Sequence, residues 1–208
     1  MNYYIADYHL FHKNVTMSGV NFDDRPYEDI YQMHEDILNR WNKKITNGDT
    51  VYILGDMSMR GRKEDLPAFV SRLKGHKILI QGNHDDVTDY RYQKVYDEIC
   101  EYKEIRDRLD GKTEHVILCH YPILMWKNQH RGAIHLYGHV HMTAEYWYYI
   151  KCLRALKKES FQDNIRGNAK IRAYNVGCML PYMDYEPRTL EEIVTGAEAY
   201  EESLFKDE

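Results

Sequence analysis

The chain has 208 residues, a length that suits one well-buried core and is short for two. Hydrophobic residues make up 43% and charged residues 29%, ordinary for a globular protein, and the formal net charge of -5 argues against a protein that coats nucleic acid through bulk electrostatics. Cys100, Cys119, Cys152 and Cys178 are scattered without a C-x-x-C pair, and the N-terminus lacks a basic region before a long apolar stretch, so the expectation is a cytoplasmic protein with no membrane partner rather than a disulfide scaffold or zinc ribbon.

Residues 2–6 read as a buried strand that ends at Asp7 and opens into a polar loop running to Arg25-Pro26. From Ile30 the apolar positions Met33, Ile37, Trp41 and Ile45 recur at spacings of three and four, which predicts a helix stopped by Asn47-Gly48. Val51-Tyr52-Ile53-Leu54 predicts a second strand, leading into Gly55-Asp56. Leu66, Phe69, Val70 and Leu73 make a second helical face closed by Gly75, and Lys77-Ile78-Leu79-Ile80 a third strand, ending at Gly82-Asn83-His84-Asp85. This alternation predicts a sheet with covering helices and reactive groups beyond the carboxyl ends of its strands.

The second half is richer in strands. Tyr102 to Leu109 and Glu114 to Cys119 flank Asp110-Gly111, a dipeptide that favours a tight hairpin turn because it tolerates positive φ. Further short strands are predicted at 134–137, before Gly138, and at 171–176, before Gly177. Thr189 and Glu192 stand in capping-box spacing at the start of a C-terminal helix lined by Leu190, Ile193, Val194, Ala197 and Leu204. Residues 150–172 hold Lys151, Arg154, Lys157, Lys158, Arg166, Lys170 and Arg172 against only Glu159 and Asp163; a solvated helix and loop is one reading, and a basic insert or lid over about 143–172 that attracts phosphate is the other.

Five clusters follow in one order: Asp7-Tyr8-His9, Gly55-Asp56, Gly82-Asn83-His84-Asp85, His120, and Gly138-His139-Val140-His141. Taken singly each is weak evidence. The ordered set supplies carboxylate, amide and imidazole donors without thiolate, the mixture that holds a pair of divalent cations. Two such ions about 3.5–4 Å apart neutralise a phosphate ester and lower the pKa of a shared water, and a carboxylate must bridge them; Asp56, presented by Gly55 at a strand end, is the natural bridge.

The set resembles the calcineurin-like metallophosphoesterase superfamily, with its D-x-H, G-D, G-N-H-[ED], H and G-H-x-H pattern, over nearly the whole chain from Asp7 to Ile193. The resemblance implies one α/β domain over 1–208, two facing mixed β-sheets flanked by helices. It implies that Asp7, His9, Asp56 and His141 hold one metal and that Asp56, Asn83, His120 and His139 hold the other, the ions being manganese, iron, zinc or nickel. It leaves His84 to face the scissile phosphate and protonate the leaving group, with Asp85 orienting it or raising its pKa.

Phe11-His12, Arg25-Pro26-Tyr27, Cys119-His120-Tyr121-Pro122, the stretch 130–136 and Asn175-Val176-Gly177 make the chain most similar to small phosphoesterases of bacteria and their phages. Arg60 keeps a place that protein phosphatases use, but without an acidic residue two positions before it. His130 and Arg131, ahead of Gly138-His139, are the expected substrate-binding pair. The expected activity is hydrolysis of a phosphate ester, a phosphodiester above all, by attack of metal-bound hydroxide, the partner being a small phosphate ester or nucleotide. A metal-dependent nuclease, with nucleic acid as its partner, and a non-catalytic scaffold of the same fold are the alternatives; oligomeric state is not legible.

Overall fold

The computed structural model describes residues 1–19, 23–59, 65–158 (Lys158 by its backbone alone) and 171–206. Arg60, Arg166, Lys170 and the residues around them, named above, lie outside that set.

Four strands, β1 (Asn2–Ile5), β2 (Thr50–Ile53), β3 (His76–Ile80) and β4 (Glu98–Cys100), pair in that order, all parallel. Tyr4 and Ile5 on β1, and Val51 and Ile53 on β2, are fully buried, and continuous apolar runs of this kind suit parallel strands covered on both faces. Helix α1 (Ile30–Lys44) begins where the Asp29 carboxylate accepts from the Tyr31 and Gln32 N–H groups, and it buries Met33, Ile37 and Trp41. The Trp41 indole donates to the Lys74 carbonyl at 2.9 Å, fixing α1 to the turn that precedes β3. Helix α2 (Asp65–Val70) is shorter than its apolar stripe, because Leu73 already belongs to the turn closed by Gly75 at φ +86°. A one-turn helix, α3 (Tyr90–Gln93), follows β3.

The second sheet runs β5 (Tyr102–Leu109), β6 (Lys112–Cys119), β7 (Ile134–Tyr137), β8 (Arg172–Asn175). The first pair is antiparallel and the others parallel, so this sheet is mixed whereas the first is wholly parallel. Asp110 and Gly111 join β5 to β6 with φ of 50° and 74°, the paired positive values that a two-residue hairpin turn of matching twist requires. Helix α4 (Ala144–Lys158) packs on this sheet through rings, Tyr149 lying 4.9 Å from Tyr137. Helix α5 (Leu190–Leu204), opened by the Thr189–Glu192 capping box, covers β5, β8 and β1. Of the basic 150–172 segment, Arg154 sits over the Phe205 ring, Lys157 pairs with Glu201 on α5 and Arg172 with Glu114 on β6.

The two sheets face each other, the Tyr4 hydroxyl on β1 donating to Asp107 on β5, and a single hydrophobic core runs through both. They are also sewn together at one end. The Ala6 N–H donates to the Val176 carbonyl at 2.8 Å and the Cys178 N–H to the Ala6 carbonyl at 2.9 Å, so β1 and β8 join just past their carboxyl ends. The clusters of both sheets emerge at that seam. Among the described residues, no helix is long and apolar enough to cross a membrane.

Candidate metal centre

The first cluster leaves β1 in an alternating backbone. Asp7, His9 and Phe11 have φ of 60°, 47° and 66°, while Tyr8 and Leu10 between them are fully buried. Left-handed conformations at non-glycine residues cost on the order of 1–3 kcal/mol each and persist only where their surroundings fix them. Here the surroundings are explicit. Buried Arg25 donates to the Asp7 carbonyl at 2.8 Å and the Tyr8 carbonyl at 2.6 Å, and the Cys178 thiol to the Asp7 carbonyl. The His9 and Leu10 N–H groups donate to the Asp56 and Met57 carbonyls, and the Phe11 N–H to His34 Nε2 on α1.

The second and third clusters interlock. Gly55 turns the chain at φ +85°, and Asp56 follows at φ 53°. A Cβ on Gly82 would collide with the Asp56 carboxylate and lie 2.6 Å from its backbone nitrogen, so only glycine lets the two loops close to this distance. Asp56 Oδ1 accepts from the His84 N–H at 2.9 Å. Its Oδ2 lies 3.8 Å from His9 Nε2, 3.6 Å from His120 Nε2 and 4.0 Å from His84 Nε2.

Donor atoms gather on either side of Asp56. Asp7, His9 and His141 form one group able to hold a metal ion, and Asp56, His120 and His139 another. Asn83 Oδ1 joins the second, 3.0 Å from His120 Nε2 and 2.9 Å from His139 Nδ1. The two groups touch, since the Asp7 carboxylate accepts from the His139 N–H.

The tautomers test whether cations fit. His120 Nδ1 lies 2.7 Å from the Leu54 carbonyl and must donate to it, which leaves an Nε2 lone pair facing the Asn83 oxygen, also an acceptor. His141 Nδ1 likewise donates to Asp23 at 2.7 Å, and its Nε2 faces His9 Nε2 at 3.0 Å. At His120 and Asn83, an imidazole lone pair directed at an amide oxygen is the arrangement a cation resolves. Burial pushes the Asp7 carboxyl up to about 6 and the Asp56 carboxyl up to about 7, and holds His9 well below the usual imidazole range. A bound cation would return both carboxyls to the ionised form.

Asp85 departs from its expected role. Its carboxylate, buried, accepts from the backbone N–H groups of Asp56, Met57 and Gly82 and from the Tyr92 hydroxyl. A carboxylate has about four lone-pair sites, and all are taken, so Asp85 fastens the second cluster to the third instead of orienting His84. His130 and Arg131 are also corrected: both are exposed in a 3-10 turn that precedes β7, whereas His139 follows it. The strand, about 10 Å long, separates them from the metal groups.

Three residues without an assigned role in the sequence belong to the site. Asp23 receives His141, Arg25 braces the first loop, and His34 anchors Phe11. Asp23 has no periodic pattern around it; its only signal is its place two residues before Arg25. Tyr121, next to His120, is 46% exposed with its ring centroid 4.7 Å from that of His139, a flat wall beside the donor cluster.

Two layers of four strands, helices outside, and two aspartate–histidine groups at their common end define the class. A profile of calcineurin-like phosphoesterases matches residues 3–164, and the chain belongs to that family. It is 29% identical to an uncharacterised protein of Methanocaldococcus jannaschii over 84 residues, 40% of this chain and 46% of that one, so it spans about half the length of that relative. It is 26% identical to the Gene 66 protein of Mycobacterium phage D29 over 67% of this chain and 77% of that protein. The Gene 66 protein of phage L5 gives 27% over 67% and 76%. Among solved structures, a protein of unknown function from Aquifex aeolicus shares the fold, with a TM-score of 0.59 at 22% identity over 99% of both chains.

Proposed function

We propose that this protein is a metal-dependent phosphoesterase that uses two divalent cations, manganese, iron, zinc or nickel, to hydrolyse phosphodiesters in preference to monoesters. The observation that carries the reading is Asp56 Oδ2, 3.8 Å from His9 Nε2 of one donor group and 3.6 Å from His120 Nε2 of the other. Bound there, the ions would neutralise the phosphate and supply hydroxide near neutral pH. The residues do the rest. His84 keeps its ring at the mouth of the cluster, a third exposed and 5.6 Å from His9, where it can deliver a proton to the departing oxygen. Asp56 fixes it from the backbone side by accepting its N–H.

The preference for a diester rests on charge. Among the described residues, Arg25 is the guanidinium that lies against the cluster, and it directs its donors to Asp7, Tyr8 and Asp23, away from any second phosphate charge. An aryl or nucleoside leaving group would pack against the exposed Tyr121 ring beside His139. A nuclease would draw on the basic segment, but Arg154, Lys157 and Arg172 are engaged within the fold. Four free cysteines support a reducing, cytoplasmic setting.

Apo-protein reconstituted with manganese, assayed side by side on an aryl phosphodiester, an aryl phosphomonoester and nucleotides, tests the proposal. Metal-dependent turnover with higher kcat/KM on the diester is expected, and Asp56→Asn should weaken both ions together. Uptake of at most one ion per chain rejects the dinuclear site; two ions without hydrolysis of any ester point to a scaffold.

A further inference from the structure

The two donor groups are oriented by different means. On one side His120 Nδ1 donates to a neutral backbone carbonyl, that of Leu54. On the other, His141 Nδ1 donates at 2.7 Å to the carboxylate of Asp23, whose side chain is only 3% exposed. Asp23 is held in turn. Its Oδ2 accepts from Arg25 Nε at 3.1 Å and Nη2 at 2.7 Å, and the same Nη2 donates to the Asp7 carbonyl while Nη1 donates to that of Tyr8. A single buried pair therefore touches both loops that supply the Asp7–His9–His141 group, the first cluster through Arg25 and the last through Asp23. Among the hydrogen bonds of the described residues, no carboxylate accepts from a ring nitrogen of His120 or His139; the Asp7 carboxylate reaches His139 through its backbone N–H.

We infer that Asp23 is a positioning residue for one of the two ions, the one held by Asp7, His9 and His141. It fixes His141 in the tautomer whose Nε2 lone pair faces the cluster, and it raises the basicity of that nitrogen because a carboxylate polarises the ring more than a carbonyl does. Arg25 keeps the carboxylate in place and bars it from turning into the site as a ligand itself. The effect is local to one ion because, in the other group, His120 Nδ1 answers to the Leu54 carbonyl and His139 Nδ1 meets the Asn83 oxygen.

This rests on the dinuclear reading above, and the experiment separates the two. Apo-protein is titrated with manganese by calorimetry, with electron paramagnetic resonance reporting spin-coupled against isolated ions. Wild type should take up two ions, and Asp23→Asn should weaken one of them by about 10–100-fold while leaving the other unchanged, so that a mononuclear signal replaces the coupled one at intermediate manganese. Asp36→Asn, which removes a remote surface partner of Arg40, should leave both untouched. Wild-type uptake of at most one ion rejects the dinuclear reading itself. Two ions in wild type with both retained in Asp23→Asn, or both lost while the variant melts like wild-type apo-protein, overturns the role of Asp23. Should that variant not fold, nitrogen-15 spectra of the histidines in zinc-loaded wild type decide the matter: a proton on His141 Nδ1 is expected, and a proton on Nε2 overturns it.

Discussion

His84 and Asp85 stand side by side in the chain and work in opposite directions. The imidazole turns to the opening of the cluster; the carboxylate turns to three backbone N–H groups in two loops. His84→Asn should therefore keep both ions and lower turnover by roughly 10²–10⁴, most for alkyl leaving groups that need a proton. Metal analysis together with steady-state kinetics checks it, and wild-type turnover on an alkyl diester would remove His84 from the mechanism. Asp85→Asn should behave otherwise, because an amide cannot accept from three N–H groups and a hydroxyl at once. A loss of about 2–4 kcal/mol in unfolding free energy is expected from the stranded donors, with metal uptake falling in parallel. Denaturant unfolding of the apo-protein measures the first part. Sequence adjacency misled at this position, since the neighbour of a proton donor is a plausible partner until its lone pairs are counted.

At the scale of elements, α1 is what holds the first loop from behind. His34, buried on that helix, accepts from the Phe11 N–H and packs against the rings of Phe11 and Phe69, and burial pushes its imidazole down to about 4. A folded pKa below the unfolded value of about 6.5 means that the unfolded chain binds the proton first. The contribution is thus fully present above about pH 6.5 and is lost as pH falls toward 4. Asp7 and Asp56, raised by burial, act with the opposite sign over an overlapping range in apo-protein, so only a difference isolates the histidine. His34→Gln keeps an acceptor for Phe11 and does not titrate; the fall in wild-type stability between pH 7 and 4.5 should exceed that of the variant by on the order of a few kcal/mol. Equal slopes by urea unfolding would place the proton elsewhere.

Elements with a strong period were legible in the sequence. The stripe through Met33, Ile37 and Trp41, the Asp110-Gly111 turn and the Thr189–Glu192 box each carry their own local physics, and each stands where that physics puts it. Short or aromatic elements were not. The turn at Tyr90–Gln93 and the three residues of β4 are too brief to show a period, and α4 is held by tyrosines rather than an aliphatic stripe. Arg131 shows a further limit: eight residues from His139 in the chain, it is a whole strand away in space.

For the molecule as a whole, the donors divide between the sheets. Asp7, His9, Asp56 and Asn83 follow strands of the first, and His120, His139 and His141 follow strands of the second. Ions at this centre would clamp the two layers at their seam. Ligand at 1,000 times its dissociation constant stabilises by about 4 kcal/mol, and at this chain length about 1 kcal/mol moves the melting temperature by roughly 2–4 °C. Chelation should accordingly lower Tm by about 10 °C, reversed by added manganese and read by calorimetry. A melt indifferent to chelator would mean that no ion bridges the layers.

The seam at Ala6 also fixes when the centre can exist. Its partners, Val176 and Cys178, lie some 170 residues downstream. At a synthesis rate of about 5–20 residues per second, Asp7 and His9 therefore wait on the order of 10–30 s for β8 to leave the ribosome. During that time the alternating loop after β1 lacks both the Cys178 thiol and the strand that sets its angle. A nascent chain thus carries the donors before it has the geometry to use them, and metal capture would be a closing event of folding rather than its nucleus.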